Sequence, residues 1–214
     1  MRDEEFPLRP NVRGRNAGGR CGAKGRRTEE RASNSKAEDK EAMDRFVWVG
    51  SEGPAWMRGG TYLVARRIRM LLEIWDRSPL ADQERTIGRD KYRGAPLGGS
   101  EEFEPLDLEA QKDGRPVIPV DAHVRLASAS ANDGERILRR GYSFTDGVDE
   151  SLGELEAGLF FISFQRDPDQ FVTIQRRLGS LDSLNEYIKH VGSAVFAIPP
   201  GARSSGYVGE TLLG

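Results

Sequence analysis

The 214-residue chain has little of what many function classes require. It carries one cysteine, Cys21, which excludes an intrachain disulfide framework and a multi-cysteine metal site. It carries two histidines, His123 and His190, so any chemistry that needs an imidazole rests on one of these. No apolar run approaches the roughly 18 residues of a membrane helix. The richest runs, residues 158–164 and 194–198, are strand-sized. Neither charge sign dominates: 32 Lys and Arg face 34 Asp and Glu, which gives no general reason to expect nucleic acid as a partner. A P-loop, a GxGxxG turn, a GxSxG elbow and an HExxH pair are all missing, so nothing supports the enzymes built on them. The first residues lack an apolar h-region, so no secretory signal is read and the cytoplasm is the expected compartment.

The balanced total hides an asymmetry. Residues 1–36 hold ten Lys and Arg against five Asp and Glu, while the rest is acidic. This stretch is rich in Arg and Gly and has no apolar period, so it cannot offset its chain entropy and disorder is expected. One domain is expected from about residue 37 to residue 214.

Within it, residues 61–70 (TYLVARRIRM) read as a strand with Tyr62, Val64, Ile68 and Met70 on one face, interrupted there by Arg66. Ser78-Pro79 predicts a helix start, with Ser78 as N-cap and a stop near Gly88. Residues 89–118 read as a long loop, of a length usually functional or mobile. Residues 137–144 read as a second strand, and 158–164 as a third that is apolar on both faces and therefore central. Asp167-Pro168 opens a second helix. Ser183 and Glu186 suggest a capping box for a further helical segment with a Leu184, Tyr187, Ile188 and Val191 stripe. Residues 194–198 read as a last strand. The order strand, helix, strand, strand, helix, strand predicts an α+β, ferredoxin-like (βαββαβ) antiparallel sheet with helices on one face.

Few residues stand out chemically. His123 reads either as a metal ligand or as a histidine packed beside Val124 and Leu126. By strand alternation Ile137 and Arg139 share one face, and Leu138, Arg140, Tyr142 and Phe144 the other. Arg139 and Arg140 then need an anionic partner if the strand is buried, or face solvent if it is an edge. Asp182 reads as an N-cap or first-turn carboxylate, His190 as a structural residue near a helix C-terminus, and Asp146-Gly147 as a turn.

Nine segments stand out in order: residues 44–49 (DRFVWV), 56–62 (WMRGGTY), 66–70 (RRIRM), 75–77 (WDR), 94–97 (GAPL), 122–126 (AHVRL), 138–142 (LRRGY), 165–168 (QRDP) and 192–196 (GSAVF). Together they resemble the C-terminal half of the dye-decolourising haem peroxidases, the family that includes the deferrochelatases. The resemblance covers about residues 37–214. It implies one of the two ferredoxin-like halves of a dimeric α+β barrel haem protein. It implies haem b as cofactor, with His123 as the proximal iron ligand, Asp182 as its acid partner and Arg139 as the distal arginine. Phe161 and Ile137 would line the haem pocket. Hydrogen peroxide, an organic donor (dye, phenol or porphyrin) and a homo-oligomer follow from the same resemblance.

The sequence departs from the family in one respect. The family's GxxDG aspartate, its distal acid, is not identified here; Glu30 falls near its place, but both glycines are lost. The sequence therefore reads as a frameshifted or truncated member with impaired turnover. The alternatives are a non-catalytic ferredoxin-like remnant or a haem carrier without turnover.

Overall fold

The alternation in residues 61–70 produces the first strand of the sheet, β1 (Thr61–Met70). The computed structural model describes residues 40–213, so the expectations for residues 1–36, Glu30 included, lie outside the described residues. Three more strands follow: β2 (Leu138–Asp149), β3 (Glu154–Gln165) and β4 (Ile188–Ile198). They form one antiparallel sheet in the order β2-β3-β1-β4. With the helices between strands, this is the expected ferredoxin-like α+β arrangement. The apolar run at 158–164 is indeed internal, paired with β1 on one side and β2 on the other. β2 is an edge strand. Among the described residues no helix is long and apolar enough to cross a membrane.

The longest helix, α4 (Pro168–Leu181), forms where Asp167 supplies a cap. Its side chain accepts from the Asp169 amide, while the Gln170 side chain accepts from the Asp167 amide, both at 2.9 Å. The Gln170 amide also donates to the backbone oxygens of Phe46 and Arg136, tying the helix start to the segment that enters β2. Before it come α1 (Leu72–Trp75), α2 (Leu80–Ile87) and α3 (His123–Leu126). Gly88 ends α2 in the left-handed conformation, φ 87°, as its position predicted. A Cβ at Gly88 would also stand 2.5 Å from a methyl of Val124.

Four local readings are corrected. Ser78 does not cap α2; the N-cap is Pro79, and the Ser78 hydroxyl donates back to the Ile74 carbonyl. Residues 183–186 form a single 3₁₀ turn rather than a helix, and Ile188 and Val191 belong to β4. His190 therefore stands in a strand. Asp146-Gly147 does not separate two strands but lies inside β2, where the register with β3 shifts and Gly147 takes φ 100°. The 89–118 loop contains a two-residue hairpin, Gln111–Lys112 with Arg115–Pro116.

Two substitutions test these local devices. Asp167→Ala removes the side-chain half of the capping box, leaves the Asp167 amide donating to Gln170, and is expected to cost about 1 kcal/mol. Gly88→Ala is expected to cost more than this, because strain in the left-handed region adds about 1–2 kcal/mol before any clash with Val124. Urea unfolding midpoints of the two variants should fall in that order.

Candidate functional site

The site begins with the packing under His123. Ile118, Ala122 and Val124 are buried together, with Ile87, Leu97, Leu106 and Leu108 against them. Apolar burial thus fixes the short helix α3, which His123 opens. Arg125 reinforces it: its guanidinium donates to the backbone oxygens of Leu108 (2.6 Å) and Ile118 (2.9 Å).

Asp182 stands 59 residues further on, where α4 stops. Its amide donates to Leu178 O and so closes α4. One carboxylate oxygen, Oδ1, accepts from the Leu184 amide at 2.9 Å and starts the 3₁₀ turn. The other, Oδ2, lies 2.6 Å from His123 Nδ1. The Asp182 side chain is 2% exposed and that of His123 16%. A carboxylate only accepts, so Nδ1 is the donor, and Nε2 is the ring nitrogen left with a free lone pair. The residue is at once the N-cap that local reading expected and the imidazole partner that the family resemblance implied.

His123 and Asp182 line a cavity of about 510 Å³ between helices and sheet, and so do Ile137, Arg139 and Phe161. All five expected site residues therefore meet in one space. Alternation along β2 divides its two arginines. Arg139 is half-buried toward the cavity, while Arg140 is exposed with its guanidinium 5.6 Å from the Tyr142 ring. The strand is an edge, as one of the two readings had it, and Arg140 faces solvent, but Arg139 is half-buried on the cavity wall. Phe161 packs against Phe171 of α4, ring centroids 6.2 Å apart.

Of the further basic residues on the cavity wall, Arg66 and His190 come from the sheet. Arg66 donates through Nη1 to Gln175 Oε1 at 2.6 Å and lies 4.8 Å over the Phe171 ring. Its Nε is buried without a hydrogen-bond partner among the described residues, and burial holds its pKa below the usual arginine value. Its sequence signal was the interruption of an apolar strand face. His190 reaches the cavity through a bulge. Arg66 and Arg67 pair with Ser193 and Gly192, but Ile68 pairs with His190, so Val191 is the extra residue. That shift reverses the alternation and puts His190 on the cavity face of the sheet, where it remains open to solvent. Partial desolvation, and then the Arg66 guanidinium, push the His190 pKa down.

Such a space fits a large planar anion-bearing cofactor. It has the size of a ligand site, mostly apolar walls and the Nε2 of an imidazole whose other nitrogen is held by a carboxylate. It also has an arginine whose buried Nε lacks an acceptor. Among the described residues no group of three or more His, Cys, Asp and Glu is placed to hold a bare metal ion.

Known proteins show the same arrangement of chain. The family described as Dyp-type peroxidase, C-terminal, matches residues 30–203, and so reaches into the stretch expected to be unlike it. The dye-decolorizing peroxidase of Thermobifida fusca is 46% identical over 183 residues, and the deferrochelatase of Yersinia pestis 42% over 187. These alignments cover 83% and 85% of this chain but 42% of each relative, so the chain spans less than half their length. A DyP-type peroxidase from Streptomyces coelicolor superposes with a TM-score of 0.78 at 42% identity, over 82% of this chain and 48% of that one. A DypB variant from Rhodococcus jostii, solved in complex with heme, gives 0.56 at 25% identity, over 76% of this chain and 48% of that one. The chain belongs to the Dyp-type peroxidase family, and what it matches is that family's C-terminal domain.

Proposed function

We propose that this chain holds haem b through His123 and serves the reduction of hydrogen peroxide coupled to oxidation of an organic donor: a dye, a phenol or a porphyrin. The observation that carries the reading is the 2.6 Å His123–Asp182 hydrogen bond on the wall of a cavity that also receives Arg139. When bound, haem supplies the redox chemistry, and the protein supplies position and electrostatics.

Each residue then has a physical task. His123 offers Nε2 to the iron, and Asp182 fixes the tautomer and makes the imidazole a more basic ligand. Arg139 sets a cation on the cavity wall, where it would stabilise negative charge on a bound peroxide. Arg66 and His190 favour an anionic substituent, and Ile137 and Phe161 keep that part of the wall apolar. A cytoplasmic site agrees with the single cysteine. A homo-oligomer is supported by Tyr142, Phe160 and Phe196, 49%, 43% and 48% exposed on the sheet.

The direct test is the Soret spectrum of the purified chain with hemin. A band that disappears or shifts in His123→Ala is expected. Arg139→Leu should keep the band while peroxide consumption drops about 10²–10³-fold. Absence of any His123-dependent band defeats the haem reading, and a band without peroxide consumption leaves a haem-binding protein instead.

A second prediction concerns pH. His190 has a folded pKa below 6.5, so the unfolded chain takes up its proton first as pH falls. Its contribution to stability is therefore present above pH 6.5 and is lost as the pH drops below it. The urea midpoint of the haem-free chain should fall between pH 7.5 and 5.5, and should fall less in His190→Gln.

A further inference from the structure

Two segments carry the His123–Asp182 pair, and they touch at a second point beside it. Asp121 precedes His123 by two residues, and Ser183 follows Asp182 directly. The Ser183 amide donates to the Asp121 backbone oxygen at 3.1 Å. The Ser183 hydroxyl donates to Asp121 Oδ2 at 2.5 Å. Neither side chain lines the cavity, so neither is explained by ligand contact.

We propose that Asp121 and Ser183 form a latch whose task is to fix the geometry of the His123–Asp182 hydrogen bond; they are positioning residues. The argument is one of degrees of freedom. Each segment is anchored separately. Arg125 ties the His123 side to Leu108 and Ile118, and the Asp182 amide and Asn185 side chain tie the other to Leu178. What these anchors leave open is a slide or pivot of one segment along the other. A single imidazole–carboxylate bond cannot prevent it, because it tolerates rotation about its own axis. A second attachment within two residues removes that freedom. Hydrogen bonds weaken steeply as they lengthen or bend. The latch therefore sets how strongly Asp182 engages Nδ1, and through the ring how basic Nε2 is. Its effect on the iron rests on the haem reading above; its effect on the imidazole does not.

The experiment uses the full chain in two forms. In the haem-free protein, nitrogen-15 NMR follows the His123 ring and the solvent exchange of its Nδ1–H. Ser183→Ala leaves the backbone half of the latch and removes the hydroxyl half. Exchange is expected to quicken about tenfold, the scale of one net hydrogen bond. Asp121→Asn should move in the same direction, Ser183→Thr should restore the native rate, and Ser180→Ala on α4 should change nothing. In the hemin-loaded protein, Ser183→Ala should lower the iron–histidine stretching frequency of the reduced form and raise the reduction potential, with Ser183→Thr again restoring both. The proposal is overturned if neither Ser183→Ala nor Asp121→Asn alters the exchange, or if wild-type Nδ1–H exchanges as fast as in Asp182→Ala. A chain that forms no His123-dependent Soret band fails the haem reading alone, and the haem-free exchange rates still decide the latch.

Discussion

A buried carboxylate cannot stand alone, and this constraint organises the site. Asp182 has a 2% exposed side chain, and among the described residues its one ion-pair-distance partner is the His123 ring. Its oxygens are satisfied by His123 Nδ1 and the Leu184 amide. Removing either partner would leave an acceptor without a donor, at a cost of about 1–3 kcal/mol. The chain must therefore end α4 at Leu181, turn at once into a 3₁₀ segment, and bring α3 alongside. The small apolar cluster under Val124 and the Arg125 contacts do the last of these. Helix termination, loop packing and imidazole orientation are solved by the same few atoms.

The sheet supplies the opposite sign of charge through Arg66 and Arg139, and sets the His190 imidazole, whose proton affinity is lowered, beside them. Arg66, Arg139 and His190 come from three different strands and all face the cavity. Side-chain direction in a strand has period two, so placement depends wholly on register. In β2 regular alternation suffices, and turns Arg140 away while Arg139 stays inside. In β4 it does not suffice, and the extra residue Val191 is what brings His190 round. A strand without that bulge would offer Val191 to the cavity instead.

Sequence alone made the sheet legible because its signals were local and agreed with one another. Alternation marked β1, an apolar run marked the internal β3, and Asp167-Pro168 marked the start of α4. The errors arose where tertiary pairing overruled a local pattern. Leu184, Tyr187, Ile188 and Val191 have helical spacing, but Ile188 and Val191 lie in a strand laid against β1. Ser78 has the chemistry of an N-cap, yet its hydroxyl is spent on the turn behind it. His123, Asp182 and Arg139 were singled out, but their convergence rested on family resemblance, because nothing local links residues 59 apart. Arg66 left a trace as a charge on an apolar face. His190 left none, since a bulge has no compositional mark in this segment.

The same arrangement ties the fold to whatever fills the cavity. Burial, and then the Arg66 guanidinium, lower the affinity of His190 for a proton, burial lowers that of Arg66, and Arg66 Nε has no acceptor among the described residues. The fold carries that cost so long as no anion is present. A ligand with carboxylates relieves the repulsion and supplies the missing acceptor in the same event. Binding free energy then becomes folding free energy, growing as RT ln(1 + [L]/Kd). The dependence is strongest on the sheet wall, where the basic residues lie, and weakest at Asp182, whose partners are complete within the chain. The imidazole side of the site is thus set by the fold before any ligand arrives, whereas the basic side is balanced only once an anion is bound. Preorganisation of this kind has a direction: the Nε2 of His123 stands in a fixed place set by Asp182, whereas the arginine wall has an acceptor still to find.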